Sequence, residues 1–110
     1  MPSRTHKLAP KKQRQQFLAK VAALLLNLGA EPLDFDFVLQ TNAGPLRIHP
    51  SENLATGLGT VFTRFDDPQA ARQLVDCNPY SGKWNFHFFD GWNVESALEE
   101  VGYQLRKVLG

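Results

Sequence analysis

The sequence predicts an α+β fold: a two-layer arrangement in which a four-stranded, mainly antiparallel sheet carries its helices on one face, in the order α-β-β-β-α-β-α. Two observations lead there. Apolar residues recur at helical spacing near both ends of the chain, and between them the period changes to two in short runs separated by turn residues. Two amphipathic helices need an apolar surface, and alternating strands offer one such face. Layering the helices on one side of the sheet satisfies both and leaves the other side wet.

The chain has 110 residues, of which 43% are hydrophobic and 21% charged, so it can bury a core unaided and lacks the composition of a disordered segment. Residues 1–9 are polar and basic with no apolar periodicity, and are expected to form a flexible arm. Residues 10–110 are expected to form a single α+β domain.

Each element has its own signal. Pro10 suits a first helical turn, Phe17, Val21, Leu24, Leu25 and Leu28 repeat at helical spacing, and Gly29 stands where the helix should end. From Leu33, the residues Leu33, Phe35, Phe37 and Leu39 alternate with Asp34, Asp36, Val38 and Gln40, which predicts one half-buried strand. Thr41 to Gly44 supply turn chemistry. Leu46 and Ile48 then alternate with Arg47 and His49 between Pro45 and Pro50, a pattern for a short edge strand. Leu58 to Phe65 reads as a third strand with no clear buried face, punctuated by Gly57 and Gly59.

Asp67 followed by Pro68 is a capping pair that starts a short helix through Ala71, Leu74 and Val75, and Asn78 to Gly82 break it. Trp84, Phe86 and Phe88 alternate with Asn85, His87 and Phe89, predicting a fourth strand with its aromatic side inward. Asn93 can cap a last helix with the apolar stripe Val94, Ala97, Leu98, Val101, Leu105 and Val108. Phe35, Phe37, Ile48, Phe86, Phe88, Leu98, Val101 and Leu105 should therefore share one core. The wet face should display Arg47, His49, Asn85 and His87, with Asp34 and Asp36.

Several function classes find no support. Cys77 is the only cysteine, so an intramolecular disulfide is impossible and a reducing cytoplasm is the expected compartment. The longest apolar run, Val21 to Leu26, is far too short for a bilayer span, and the polar N-terminus offers no secretory apolar region. Ser81-Gly82-Lys83 is not the end of a phosphate-binding loop: Cys77 stands at the first glycine position, Trp84 replaces Ser or Thr, and a strand follows. His6, His49 and His87 lack metal-ligand spacing, and nothing local activates Cys77 as a nucleophile. No cofactor, no metal and no catalysis are expected.

Charge is distributed unevenly. The net charge is only +1, yet residues 1–30 hold Arg4, Lys7, Lys11, Lys12, Arg14 and Lys20 with no acid, giving +6, and residues 31–110 carry −5. Those six bases could track phosphates, which is one route to a nucleic-acid-binding function. The other candidate surface is the wet sheet face. A turn of Asn, Pro, Ser and Gly precedes a strand that should carry Lys83, Asn85 and His87 outward. With Arg47, His49, Ser81 and Trp92 these form a candidate binding set. Trp84 is expected in the core. Trp92, just before a helix, could either staple that helix or remain exposed.

The segment Asn78-Pro79-Tyr80-Ser81-Gly82-Lys83-Trp84-Asn85-Phe86-His87, with Arg64, Phe65 and Asp66 ahead of it, resembles small uncharacterised proteins of phages, plasmids and other bacterial mobile elements. The resemblance covers the C-terminal half and implies a genomic setting, without a fold, activity or ligand to carry over. In that setting small domains without catalytic motifs bind. They occupy a host defence protein, as anti-restriction and anti-CRISPR proteins do, or the element's own nucleic acid. The expected function is accordingly a non-catalytic macromolecule-binding domain with a host or mobile-element protein as its partner. The alternative is a nucleic-acid-binding accessory protein that uses the basic N-terminal helix.

Overall fold

A computed structural model of the chain describes residues 7–52 and 57–110. Its elements are α1 (Lys11–Asn27), β1 (Glu31–Leu33), β2 (Asp36–Thr41), β3 (Gly44–Ser51), β4 (Gly59–Phe65), α2 (Pro68–Ala71), β5 (Phe86–Phe88) and α3 (Val94–Leu109). The five strands lie side by side in chain order, each antiparallel to its neighbour. The fold is thus α+β with an antiparallel sheet as expected, but the described residues form five strands, in the order α-β-β-β-β-α-β-α.

The extra strand comes from Leu33 to Leu39. Instead of one strand this stretch is a hairpin, with Leu33 paired to Asp36 and Pro32 to Phe37 across the two-residue loop Asp34-Phe35. Asp34 takes a positive φ of 56°, a conformation that its short polar side chain tolerates better than most and that two-residue hairpins require. Phe35 therefore sits at the tip, 89% exposed, and not in the core. Asp34 leaves the wet face for the same turn. Beyond the loop the alternation holds: Leu39 is buried and Phe37 packs half-buried against the core.

Helices α1 and α3 pack against each other and against one face of the sheet. Phe17, Val21 and Leu25 of α1 meet Ala97, Val101, Leu105 and Val108 of α3 over Leu39, Leu46, Ile48, Val61, Phe65 and Phe88 of the strands. Phe86 and Leu98 join this core half-buried, as does Trp84, whose ring lies 5.5 Å from Phe65 and 4.8 Å from Phe86. Each fully buried side chain of this size contributes about 1.5–3 kcal/mol.

The caps are local and form as expected. Asp67 Oδ1 accepts the Ala70 N–H at 3.1 Å, and Asn93 Oδ1 accepts the Ser96 N–H at 2.8 Å. Because a cap supplies a partner for an N–H that the helix itself cannot satisfy, Asn93→Ala should cost about 1 kcal/mol and Asn93→Gly about a few tenths. Urea unfolding followed by circular dichroism reads the difference. Equal losses for the two variants would show that Asn93 does not act through its cap.

Of the arm expected over residues 1–9, residues 1–6 lie outside the described part. Ala9 is held in place: its N–H donates to the Gly57 carbonyl at 2.7 Å, and its side chain packs on the core.

Candidate functional site

The face of the sheet opposite the helices carries the outward residues of β2, β3, β4 and β5. Strand pairing places Arg47 of β3 directly opposite Arg64 of β4, and a further β-bridge places Arg64 opposite Lys83. Three cations therefore stand in one row across the sheet. Like charges directly opposite each other on antiparallel strands are destabilising, so nothing in the fold itself favours this row. Arg47 is partly relieved by Asp36, whose Oδ2 lies 3.9 Å from Nη1. Arg64 and Lys83 are exposed and have no ion-pair partner among the described residues.

Beside this row runs a stripe of rings. His49 lies opposite Phe62, with ring centres 6.4 Å apart; Phe62 is 6.4 Å from His87, and His87 stacks on Phe89 at 6.1 Å. His49 Nδ1 is 3.0 Å from Asp36 Oδ1 and 3.1 Å from the Phe35 carbonyl oxygen. Both partners are acceptors, so Nδ1 carries the hydrogen and Nε2 is the nitrogen left for a ligand. His87 Nδ1 lies 3.2 Å from Thr60 Oγ1. Between row and stripe is a shallow depression of about 130 Å³ lined by Asp36, Arg47, His49, Phe62, Arg64 and Lys83. Guanidinium and ammonium groups beside ring faces can hold an oxyanion and stack a planar group next to it.

The 78–82 turn aims Lys83. Asn78 Oδ1 accepts the N–H groups of Tyr80 (2.8 Å) and Ser81 (2.9 Å), and the Asn78 carbonyl accepts the Gly82 N–H at 2.9 Å. Gly82 in turn accepts the Phe65 N–H at 2.9 Å, and the Trp84 N–H donates to the Thr63 carbonyl at 2.9 Å. The turn is thereby fastened to the end of β4.

The structure brings together four of the expected binding residues, Arg47, His49, Lys83 and His87, and separates three. Ser81 uses its hydroxyl oxygen inside the turn, accepting the Lys83 N–H at 3.2 Å. Asn85 uses its side-chain oxygen on the Thr63 N–H at 3.0 Å, standing in for a backbone acceptor in the sheet ladder. Trp92 sits at the start of α3 with its ring edge-on to the core residue Phe88 at 5.1 Å, away from the open face. Sequence reasoning missed Phe62 and Arg64. Arg64 was the available signal, because a charged residue on β4 marks the outward parity, and Phe62 shares it.

The basic N-terminal set is less available than its charge implies. Arg14 Nη1 is 2.6 Å from Glu52 Oε1 and its Nε donates to the Ala9 carbonyl at 3.0 Å, while Lys20 Nζ pairs with Glu95 Oε1 at 3.0 Å. Lys7, Lys11 and Lys12 are exposed, and Arg4 lies outside the described residues. Cys77 is buried with Sγ 3.7 Å from the Pro68 carbonyl. Among the described residues no three His, Cys, Asp or Glu side chains converge as metal ligands, and no helix is long and apolar enough to cross a membrane. Comparison of the chain with protein-family models, with curated proteins and with solved structures gives no match.

Proposed function

We propose that this protein is a non-catalytic binding domain that docks an anionic macromolecule on the open face of its sheet. The observation that carries this reading is the in-register row Arg47, Arg64 and Lys83: the fold gains nothing from three adjacent cations, and a ligand does. Binding is favoured over turnover because the only thiol is buried and the Ser81 hydroxyl is engaged within its own turn. The resemblance of residues 78–87 to mobile-element proteins supports a phage or plasmid setting, where a small cytoplasmic domain would act by occupying its partner.

Retention on immobilised heparin, a polyanion, tests which face docks. Arg64→Ala and Lys83→Ala should each elute at clearly lower salt, because each removes a cation with no ion-pair partner among the described residues. Lys11→Ala with Lys12→Ala should change elution less than either. All these residues are exposed, so melting temperatures should stay close to that of the parent protein. Elution that follows the helix pair and ignores both sheet residues would return the function to the N-terminal helix.

A further inference from the structure

We infer that the occupant of this face is single-stranded nucleic acid, with phosphates along Arg47, Arg64 and Lys83 and a base stacked on Phe62. The inference rests on the sheet face being the docking surface, and goes beyond it by naming the ligand. Charge complementarity is the first argument. The row faces outward, two of its three members are unpaired among the described residues, and Asp36 closes it on the β2 side against Arg47 and His49. Adjacent strands lie about 4.8 Å apart, so the row spans about 10 Å across β3, β4 and the Lys83 bridge. An extended backbone crossing the strands meets all three.

The second argument is the ring stripe. Phe62 is a large apolar side chain in the middle of a polar face, flanked on both sides by imidazoles at 6.4 Å. A face that only needed to be soluble would place a polar residue there, and one that only needed to hold phosphates has no use for a ring. Bases of a single strand are free to stack on such rings, and every base has a π-face, so contact of this kind is tolerant of sequence. A duplex keeps its bases stacked inside itself and offers the stripe nothing. An acidic protein surface would answer the three cations but leave the ring stripe unused.

The test is fluorescence anisotropy with a fluorescein-labelled oligothymidylate of about 12 nucleotides, within the site sizes of single-strand platforms. Binding should weaken steeply with salt, with about 0.7 units of log–log slope per phosphate contact, so Lys83→Ala should flatten the dependence by about that amount. Phe62→Leu, which keeps an apolar side chain but removes the ring, should lose about tenfold or more in affinity, and Phe62→Tyr should retain it. A duplex of the same length should bind at least about tenfold more weakly, since it offers no stacking contact. Three results would overturn the inference: Phe62→Leu binding as the parent does, duplex binding as tightly as single strand, or no oligothymidylate binding at all. If heparin retention still depends on Arg64 and Lys83 in any of these cases, the face docks another polyanion, such as an acidic protein, and only the ligand assignment fails. Loss of that dependence removes the docking surface as well.

Discussion

Phe88→Ala should lower the free energy of unfolding by about 3–5 kcal/mol, the range for removing a buried aromatic ring. Phe88 is only 2% exposed, and its ring meets Phe17 of α1 edge-on at 5.4 Å and Trp92 at the start of α3 at 5.1 Å. It therefore ties a three-residue edge strand to α1 and to the segment that leads into α3. Strand β5 has three residues, and its ladder to β4 alone cannot hold it against loss of that anchor. The control is chemically identical and differently placed. Phe35→Ala removes the same ring from a hairpin tip that is 89% exposed, and should change stability by no more than about 0.5 kcal/mol. Urea unfolding of the two variants, followed by far-ultraviolet circular dichroism, compares them directly. A loss below about 1 kcal/mol for Phe88→Ala would remove that ring from the core, and a loss at Phe35 equal to that at Phe88 would restore the single long strand.

The Phe35 case shows where periodicity stops carrying information. Leu33, Phe35, Phe37 and Leu39 alternate without a break, so pattern alone describes one strand, and nothing in Asp34-Phe35 has the glycine or asparagine that usually announces a two-residue turn. Within β2 the alternation holds, and Phe37 and Leu39 face inward; the turn reverses the parity of what precedes it, so Leu33, paired with Asp36, shares the outward face and is exposed along with Phe35. Caps were legible because they depend on residues three apart, as at Asp67 and Asn93. The site was legible by half. Arg47, His49 and His87 follow from alternation, whereas Asn85 and Ser81 look the same as them in sequence and spend their oxygens on backbone N–H groups. Composition reports that a side chain is polar and says nothing of whether the fold has already engaged it. Strand β4 hid its outward face because Val61, Phe62 and Phe65 are apolar on both parities, and two threonines, Thr60 and Thr63, are buried.

Gly82→Ala should cost about 2–3 kcal/mol and also disturb binding, because one residue holds both the end of β4 and the direction of Lys83. The backbone at Gly82 has a φ of +75°, and a Cβ built there would lie 2.4 Å from the Phe65 carbonyl oxygen. That contact is with backbone and cannot be relieved by rotating a side chain, so the turn must move away from β4. Moving it strains the Phe65 N–H bond to the Gly82 carbonyl and the Arg64–Lys83 bridge next to it. Gly91 separates the two contributions. It has a similar φ of +96° with nothing within 4 Å of its Cβ position, so Gly91→Ala carries the conformational cost alone, about 1 kcal/mol. In urea unfolding the Gly82 variant should therefore lose distinctly more than the Gly91 variant. Measured on the folded protein, heparin elution should shift for Gly82→Ala, as is expected for Lys83→Ala, and stay unchanged for Gly91→Ala. Equal destabilisation of the two variants, with neither shifting elution, would mean that the close approach of Gly82 to Phe65 does not position the third cation of the row.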